Sequence, residues 1–457
     1  MATHSGCCIP LKAKLAQLDR TITARCMVNA ARLSFVVNVL KGKVAGRRAF
    51  RQNALSMGAI QSRPVPRSLS LSSAASIVLH AGFVVTGVVT TLLGPILPVL
   101  ISRWSLSDQR AGLFFTAQFC GSMVGVASIG WLIKRGYRHT FLCGFSLIAV
   151  GVAGLSLSSY VASLAATAMF GCGLGQGLSA TNLWVAEIAN ARRVAALSIL
   201  NLMWGIGAIA SSPLVLLAGR HGATSWLLYA IAIGAAFTAL ILVGMNLEPG
   251  TPEDEGELGP ARRENISTRS SVSLAALFFL YVGSENSVAG WVASLTKRTN
   301  AGSGDLWALA PMFFWGGLLA GRALVPLVPR WQRERALLVS GLLLAAAGIG
   351  LLLQARTFTS VAICVTACGL GLAAIYPILV TWLVKAFGEK SRRIGAIMFA
   401  LAGMGGATMP LLVGLVSTGK GSLRAGLLVP LAGCVAMFAL IATMVEPIFR
   451  GASKSEK

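Results

Sequence analysis

The segment FFLYVGSENSVAGWVASL, residues 278–295, contains one carboxylate, Glu285, in a run that otherwise reads as lipid-soluble. On insertion scales a charge at the centre of a bilayer costs about 3 kcal/mol, so a chain keeps one there only against a cavity or a partner. The acid could exchange a proton or hydrogen-bond a polar solute. The alternative is a paired acid that locks two helices together. At helical spacing its stripe is shared by Tyr281, Val288, Ala289 and Val292.

Arg322, in FFWGGLLAGRALVPLVPR, is the one base well inside an apolar run, with Trp315 seven residues earlier on the same face. It reads as an ion-pair switch or ligand anchor, or as a side chain snorkelling to the interface. Asn182, Asn201 and Gln118 offer amides to a sugar-like solute, and Trp184, Trp204, Trp315, Tyr281 and Tyr376 offer aromatic faces. Each amide taken alone is equally suited to join helices. Glu187, in AEIANARR, falls at the mouth of its run, near where the loop GWLIKRGYRHT (130–140) should arrive. A salt bridge from Glu187 to Arg135 or Arg138 would latch that end, and a solvated surface charge is the alternative.

These residues need a scaffold that lipid tolerates. The chain of 457 residues is 55% hydrophobic and 12% charged, with a mean hydropathy of +0.74, which excludes an ordinary soluble domain. Apolar stretches of about 20 residues, the length that crosses ~30 Å of hydrocarbon, recur from Ser72 onward. Twelve are expected, centred near Thr90, Gly121, Ile148, Phe170, Gly207, Ile233, Glu285, Leu319, Leu344, Gly371, Met404 and Met437. They must be helices, because lipid offers no partner to an open backbone hydrogen bond.

The division of the chain follows. Residues 1–71 form a basic extension with twelve Lys and Arg and one acid, Asp19. Residues 72–246 are the first six-helix bundle, 247–271 a Pro-, Gly- and acid-rich linker, 272–447 the second bundle, and 448–457 a tail. The extension reads as a disordered tail, a leader or upstream sequence. Of the 39 basic residues, 12 precede Val78, 18 lie in loops and tail on the side of the termini, 8 lie on the other side, and Arg322 is internal. That bias places both termini in the cytoplasm, and the expected location is the bacterial plasma membrane.

The halves repeat one another. GLG at 173–175 returns at 369–371, Pro213 at Pro410, and Arg138 at Arg335, offsets of 196 to 197. Such a duplication, two bundles related by a pseudo-two-fold axis, is the arrangement of carriers that rock two halves around a central site.

Other classes are disfavoured. The net charge of +24 is not interleaved with exposed aromatics, so no nucleic-acid partner is expected. Six of the nine cysteines, at 120, 143, 172, 364, 368 and 434, sit in apolar spans, and the four histidines are scattered, so neither a metal nor another cofactor is expected. GCGLGQG (171–177) lies within a span and reads as helix packing rather than a nucleotide loop. Asn265-Ile266-Ser267 matches the glycosylation pattern on the cytoplasmic side, where that modification does not occur. No nucleophile and base set suggests an enzyme, and no long soluble segment suggests a receptor.

Twelve spans in two repeated halves, a Gly-led basic loop after the second span and a long central linker resemble the major facilitator superfamily. GLGQGLSATN, the Glu and Trp of YVGSENSVAGW, FFWGGLLAGR and GLGLAAIYP are similar to its fucose:proton symporter branch over about residues 75–445. The resemblance implies a proton-coupled carrier with alternating access. The chain departs from the branch at Leu178, where the family's proton-linked Glu would fall, and at Gly94, in place of its coupling Asp. The loop 130–140 carries Ile133 and Lys134 in place of the superfamily's common Asp. The expectation is therefore a monomeric all-α membrane carrier for a sugar or similar small polar solute and protons. Glu285 would couple the proton, and the amides and aromatics named above would line the route. Arg322, Glu187, Arg135 and Arg138 would gate it. The alternative is efflux of apolar compounds.

Overall fold

In the computed structural model the described residues are 73–189, 193–245, 247, 268–299, 304–325, 334–388 and 391–443. The expected basic extension, the tail and most of the linker lie outside them. Residues 268–271, assigned above to the linker, are already helical.

The described residues are all helix and connecting turns. In the first half α1 is Ser73–Thr91, α2 Leu93–Trp104, α3 Asp108–Ile133, α4 Tyr137–Gly154, α5 Tyr160–Ile188, α6 Arg193–Arg220 and α7 Thr224–Val243. In the second, α8 is Thr268–Arg298, α9 Ala310–Leu324, α10 Glu334–Leu352, α11 Phe358–Leu372, α12 Ile375–Phe387, α13 Ser391–Lys420, α14 Leu423–Gly426 and α15 Leu428–Thr443. Nine spans among the described residues are long and apolar enough to cross a bilayer, and α1 with α2 makes a tenth, bent by 45°. The shorter α4 and α9, of 18 and 15 residues, occupy the places of the third and eighth expected spans.

Proline explains both interruptions. Pro95 has no N–H for the carbonyl of Thr91, and its ring crowds that carbonyl, so the helix breaks at Leu92. Pro377 stands in the same relation to Ala373, where α11 gives way to α12.

The packing is duplicated as the sequence is. In the first half α1 packs on α6 and α7, α3 on α5, and α4 on α5 and α7. In the second, α8 packs on α13 and α15, α9 on α11, and α10 on α11 and α15. Small residues carry the contacts, because without a hydrophobic drive between helices in lipid, close backbone approach supplies the dispersion energy. A methyl group added to Gly173 would strike the backbone of Gly144, and one added to Gly371 would strike Gly341, the equivalent contact 197 to 198 residues on. Gly171 and Gly175 sit against the backbones of Gln118 and Ser122 of α3. GCGLGQG is thus the seam that holds α5 against α3 and α4.

Candidate functional site

The halves meet where α2 packs on α8, α3 on α13 and α6 on α9. Between them lies a narrow cleft, closed down to a cavity volume of about 10 Å³, room for about one water molecule, and lined by Thr90, Thr91, Leu93, Gly94, Phe115, Gln118, Phe119, Asn286, Ala289, Gly290 and Trp315. None of these side chains is ionisable. Gln118 donates from Nε2 to the carbonyl of Thr90 at 3.0 Å, and Asn286 donates from Nδ2 to the carbonyl of Val282 at 2.9 Å. Those bonds orient both amides and leave their carbonyl oxygens as acceptors. Trp315 meets Trp204 edge to face across the halves, with ring centroids 5.6 Å apart. Gly94 packs so closely on the backbone of Ala289 and Gly290 that an added Cβ would clash with it. An Asp at that position has no room here.

Glu285 lies one helical turn from Ala289, away from the cleft and toward the Glu187 end of the molecule. It is buried, and its Oε1 stands 3.9 Å from Nη2 of Arg322. Trp315 is two turns above Arg322 on α9, so the ion pair forms the floor beneath the cleft. The side chain of Arg322 is 30% exposed and that of Glu285 only 10%. The fully buried hydroxyl of Tyr281 neighbours both charges. Tyr376 packs on Tyr281, Phe278 and Phe399 beside them.

The predicted site residues therefore fall into three groups. Gln118 and Trp315 line the cleft, with Trp204 against Trp315. Tyr281, Tyr376 and Arg322 surround Glu285. Asn182 and Asn201 are in neither group: they are not among the cleft-lining residues, and each amide donates to the carbonyl four residues earlier on its own helix, Leu178 and Leu197, both at 2.8 Å.

The expected latch between Glu187 and Arg135 or Arg138 is not formed. Glu187 accepts instead from the hydroxyl of Tyr137 at 2.7 Å, while Arg135 lies over the ring of Trp131 at 3.7 Å and Arg138 is exposed. The reason is geometric. Tyr137 opens α4 on the face that packs on α5, and its neighbours in the chain point elsewhere. The second half has a counterpart, Glu334, which accepts from Lys385 at 2.6 Å and from Trp382 at 2.7 Å. Both clamps tie helices within one half.

At the opposite end is a contact the sequence reading did not pick out. Asp108, in the first turn of α3, is held by both guanidinium nitrogens of Arg298 at the end of α8 and by the hydroxyl of Ser417 on α13. The only sequence signal is a Ser-Asp pair opening a span, which a solvated turn shows equally well. Among the described residues Asp108 and Glu285 are the two buried carboxylates, and each faces an arginine.

Residues 79–392 match the sequence profile of the Major Facilitator Superfamily. A comparison with curated protein sequences finds no significant match. Among solved structures, the fold is similar to that of a bacterial homologue of the human lysosomal transporter Spinster, at 15% identity and a TM-score of 0.62 over 84% of this chain and 97% of the other. It is similar to the inward-open xylose transporter XylE from E. coli, at 14% identity and a TM-score of 0.64 over 81% and 95%. FucP in its outward conformation matches at 17% identity and a TM-score of 0.54 over 82% and 99%, so the fucose branch is not singled out among these structures. The chain belongs to the Major Facilitator Superfamily, as a multi-pass secondary transporter and not an enzyme.

Proposed function

We propose that the protein moves a sugar or similar small uncharged polar solute through the inter-half cleft by alternating access, coupled to protons at Glu285. The cleft carries this reading. It offers two oriented amides and three aromatic rings, beside two threonines whose hydroxyls donate within their own helix, with no ionisable side chain, the chemistry that recognises a polyol. A charged solute would find no counter-ion in it.

Coupling rests on placement. A solute leaving the cleft toward the Glu187 end passes Arg322, and Glu285 is the one acid next to that cation. Moving Arg322 toward the solute would release Glu285 to take a proton. The charge asymmetry supports a cytoplasmic position for the Glu187 end and both termini, and we take the membrane to be a bacterial plasma membrane. The division into bundles at 72–246 and 272–447 supports two bodies that rock about the cleft.

Thermal melting of the detergent-solubilised full chain against labelled aldoses, polyols, nucleosides and apolar dyes tests the solute class. Neutral polyhydroxy compounds should raise the melting temperature, and Gln118→Ala or Asn286→Ala should abolish the rise. Stabilisation by apolar compounds alone, unaffected by either variant, would replace this reading with efflux.

A further inference from the structure

Asp108 differs from a surface charge in three respects. It is buried, while its partner Arg298 is 40% exposed at the side chain. It receives bidentate bonds from Arg298 and a further bond from Ser417, so its lone pairs are well used. It also sits where helix termini of opposite sign meet, the N-terminus of α3 from one half against the C-terminal turns of α8 and α13 from the other. The backbone continues the contact. Gln109 N–H donates to Thr418 Oγ1 at 3.0 Å, and Gly414 lies so close to the carbonyl of Asp108 that a side chain there would clash. Lys297, the adjacent cation, is engaged elsewhere, donating to Ser102 at 3.2 Å and lying 5.0 Å over the ring of Trp307.

The cleft begins at Phe115, seven residues along α3 from Asp108, about 10 Å at 1.5 Å per residue. The knot therefore lies directly over the cleft, on the side away from Glu285. The charged clamps at the far end, Tyr137 with Glu187 and Glu334 with Lys385, stay within one half each. Among the described residues, the ion pair that bridges the halves is Asp108 with Arg298.

We infer that Asp108, held by Arg298 and Ser417, is the bolt that closes the solute pathway at the Asp108 end, and that opening there requires this pair to separate. The inference rests on the alternating-access reading. Asp108 suits such a role because it is the desolvated partner. Once Arg298 is removed, the buried carboxylate is left uncompensated, and once Asp108 is removed the half-exposed Arg298 has nothing to hold across the halves, so either change costs the closed state its advantage. The bolt is thus all-or-none where a row of surface charges would yield gradually.

Distances between spin labels test this without any solute, so the result is independent of the cargo's identity. In the full chain with native cysteines replaced, Leu157→Cys and Arg356→Cys report the Asp108 end, and His139→Cys and Ala336→Cys report the other. All four positions are exposed, and each pair is related by the repeat at offsets of 197 to 199. Asp108→Asn should raise the ratio of open to closed populations at the 157/356 end by at least about tenfold and shorten the 139/336 distance. Arg298→Gln should do the same, and Ser417→Ala should give a smaller shift in the same direction. Arg298→Gln serves if Asp108→Asn does not fold, since Arg298 is the more exposed partner. The exchanged pair, Asp108→Arg with Arg298→Asp, should move both distances back toward the parent. Unchanged 157/356 distances in Asp108→Asn and Arg298→Gln would overturn the assignment.

Discussion

Replacing Glu285 with Gln removes one negative charge and keeps the shape. At 3.9 Å from Arg322, the Coulomb attraction is about 4 kcal/mol at an effective dielectric of ~20. Arg322 is 30% exposed, so solvent takes over part of what the acid supplied. The net loss of stability should be about 1–2 kcal/mol, which the fold can bear. Coupling responds differently. One proton per solute across a gradient of two pH units supplies about 2.7 kcal/mol, enough for ~100-fold accumulation. Gln cannot carry that proton, so Glu285→Gln should lower accumulation to a ratio of about 1 while leaving equilibrium exchange of preloaded solute intact. Proteoliposomes with an imposed pH gradient, loaded with whichever labelled sugar stabilises the protein, give both readings. Wild-type accumulation by the variant would refute the coupling role. Loss of exchange together with accumulation would show that the acid serves to hold the helices.

Two further perturbations separate site from scaffold. Gly94→Asp, which puts a carboxylate where the resembled branch carries one, should uncouple α2 from α8 rather than restore coupling. Overpacking against Ala289 costs about 1–3 kcal/mol before the charge is counted, and the readout is a lower melting temperature in detergent; a variant that melts normally and accumulates solute better would contradict it. Tyr137→Phe removes a bond of 2.7 Å to Glu187 and should cost no more than about 1 kcal/mol, with accumulation unchanged. If accumulation fell instead, the clamp would belong to the transport cycle.

How much of this was legible in the sequence depends on range. Spans, the duplication and the GCGLGQG packing seam follow from local composition and spacing, and the structure repeats them in both halves; the breaks at Pro95 and Pro377 first came to light in the structure. Glu285 and Arg322 were visible because lipid makes any internal charge conspicuous. Their distance was not, since it depends on the rotation of α8 against α9. Asn182 and Asn201 lie outside the cleft lining for a related reason, since which face of a span turns toward the other half depends on helix rotation and not on residue type. Asn286 was missed beside the more conspicuous Glu285. Asp108 was missed because an acid at the end of a span has two readings, and only the fold brings Arg298, 190 residues later, to meet it.

The duplication also shows where the chemistry was added. Equivalent contacts in the two halves differ by 195 to 198 positions, as with Val84 on Gly207 and Phe279 on Gly405. Counting back from Glu285 by those offsets reaches Gly87, Val88, Val89 and Thr90, and from Arg322 it reaches Val124, Gly125, Val126 and Ala127. None is ionisable. The scaffold is symmetric and the buried charge pair is not. A symmetric pair of bodies can rock with no preferred driver, whereas a proton taken up in one half changes the electrostatics of that half alone. On the coupling proposed for Glu285, the second half would hold the group that senses the gradient, while the first supplies Thr90, Phe115 and Gln118 to the cleft. The bolt at Asp108 draws its acid from the first half and its arginine from the second, so the two halves must agree before the far end opens.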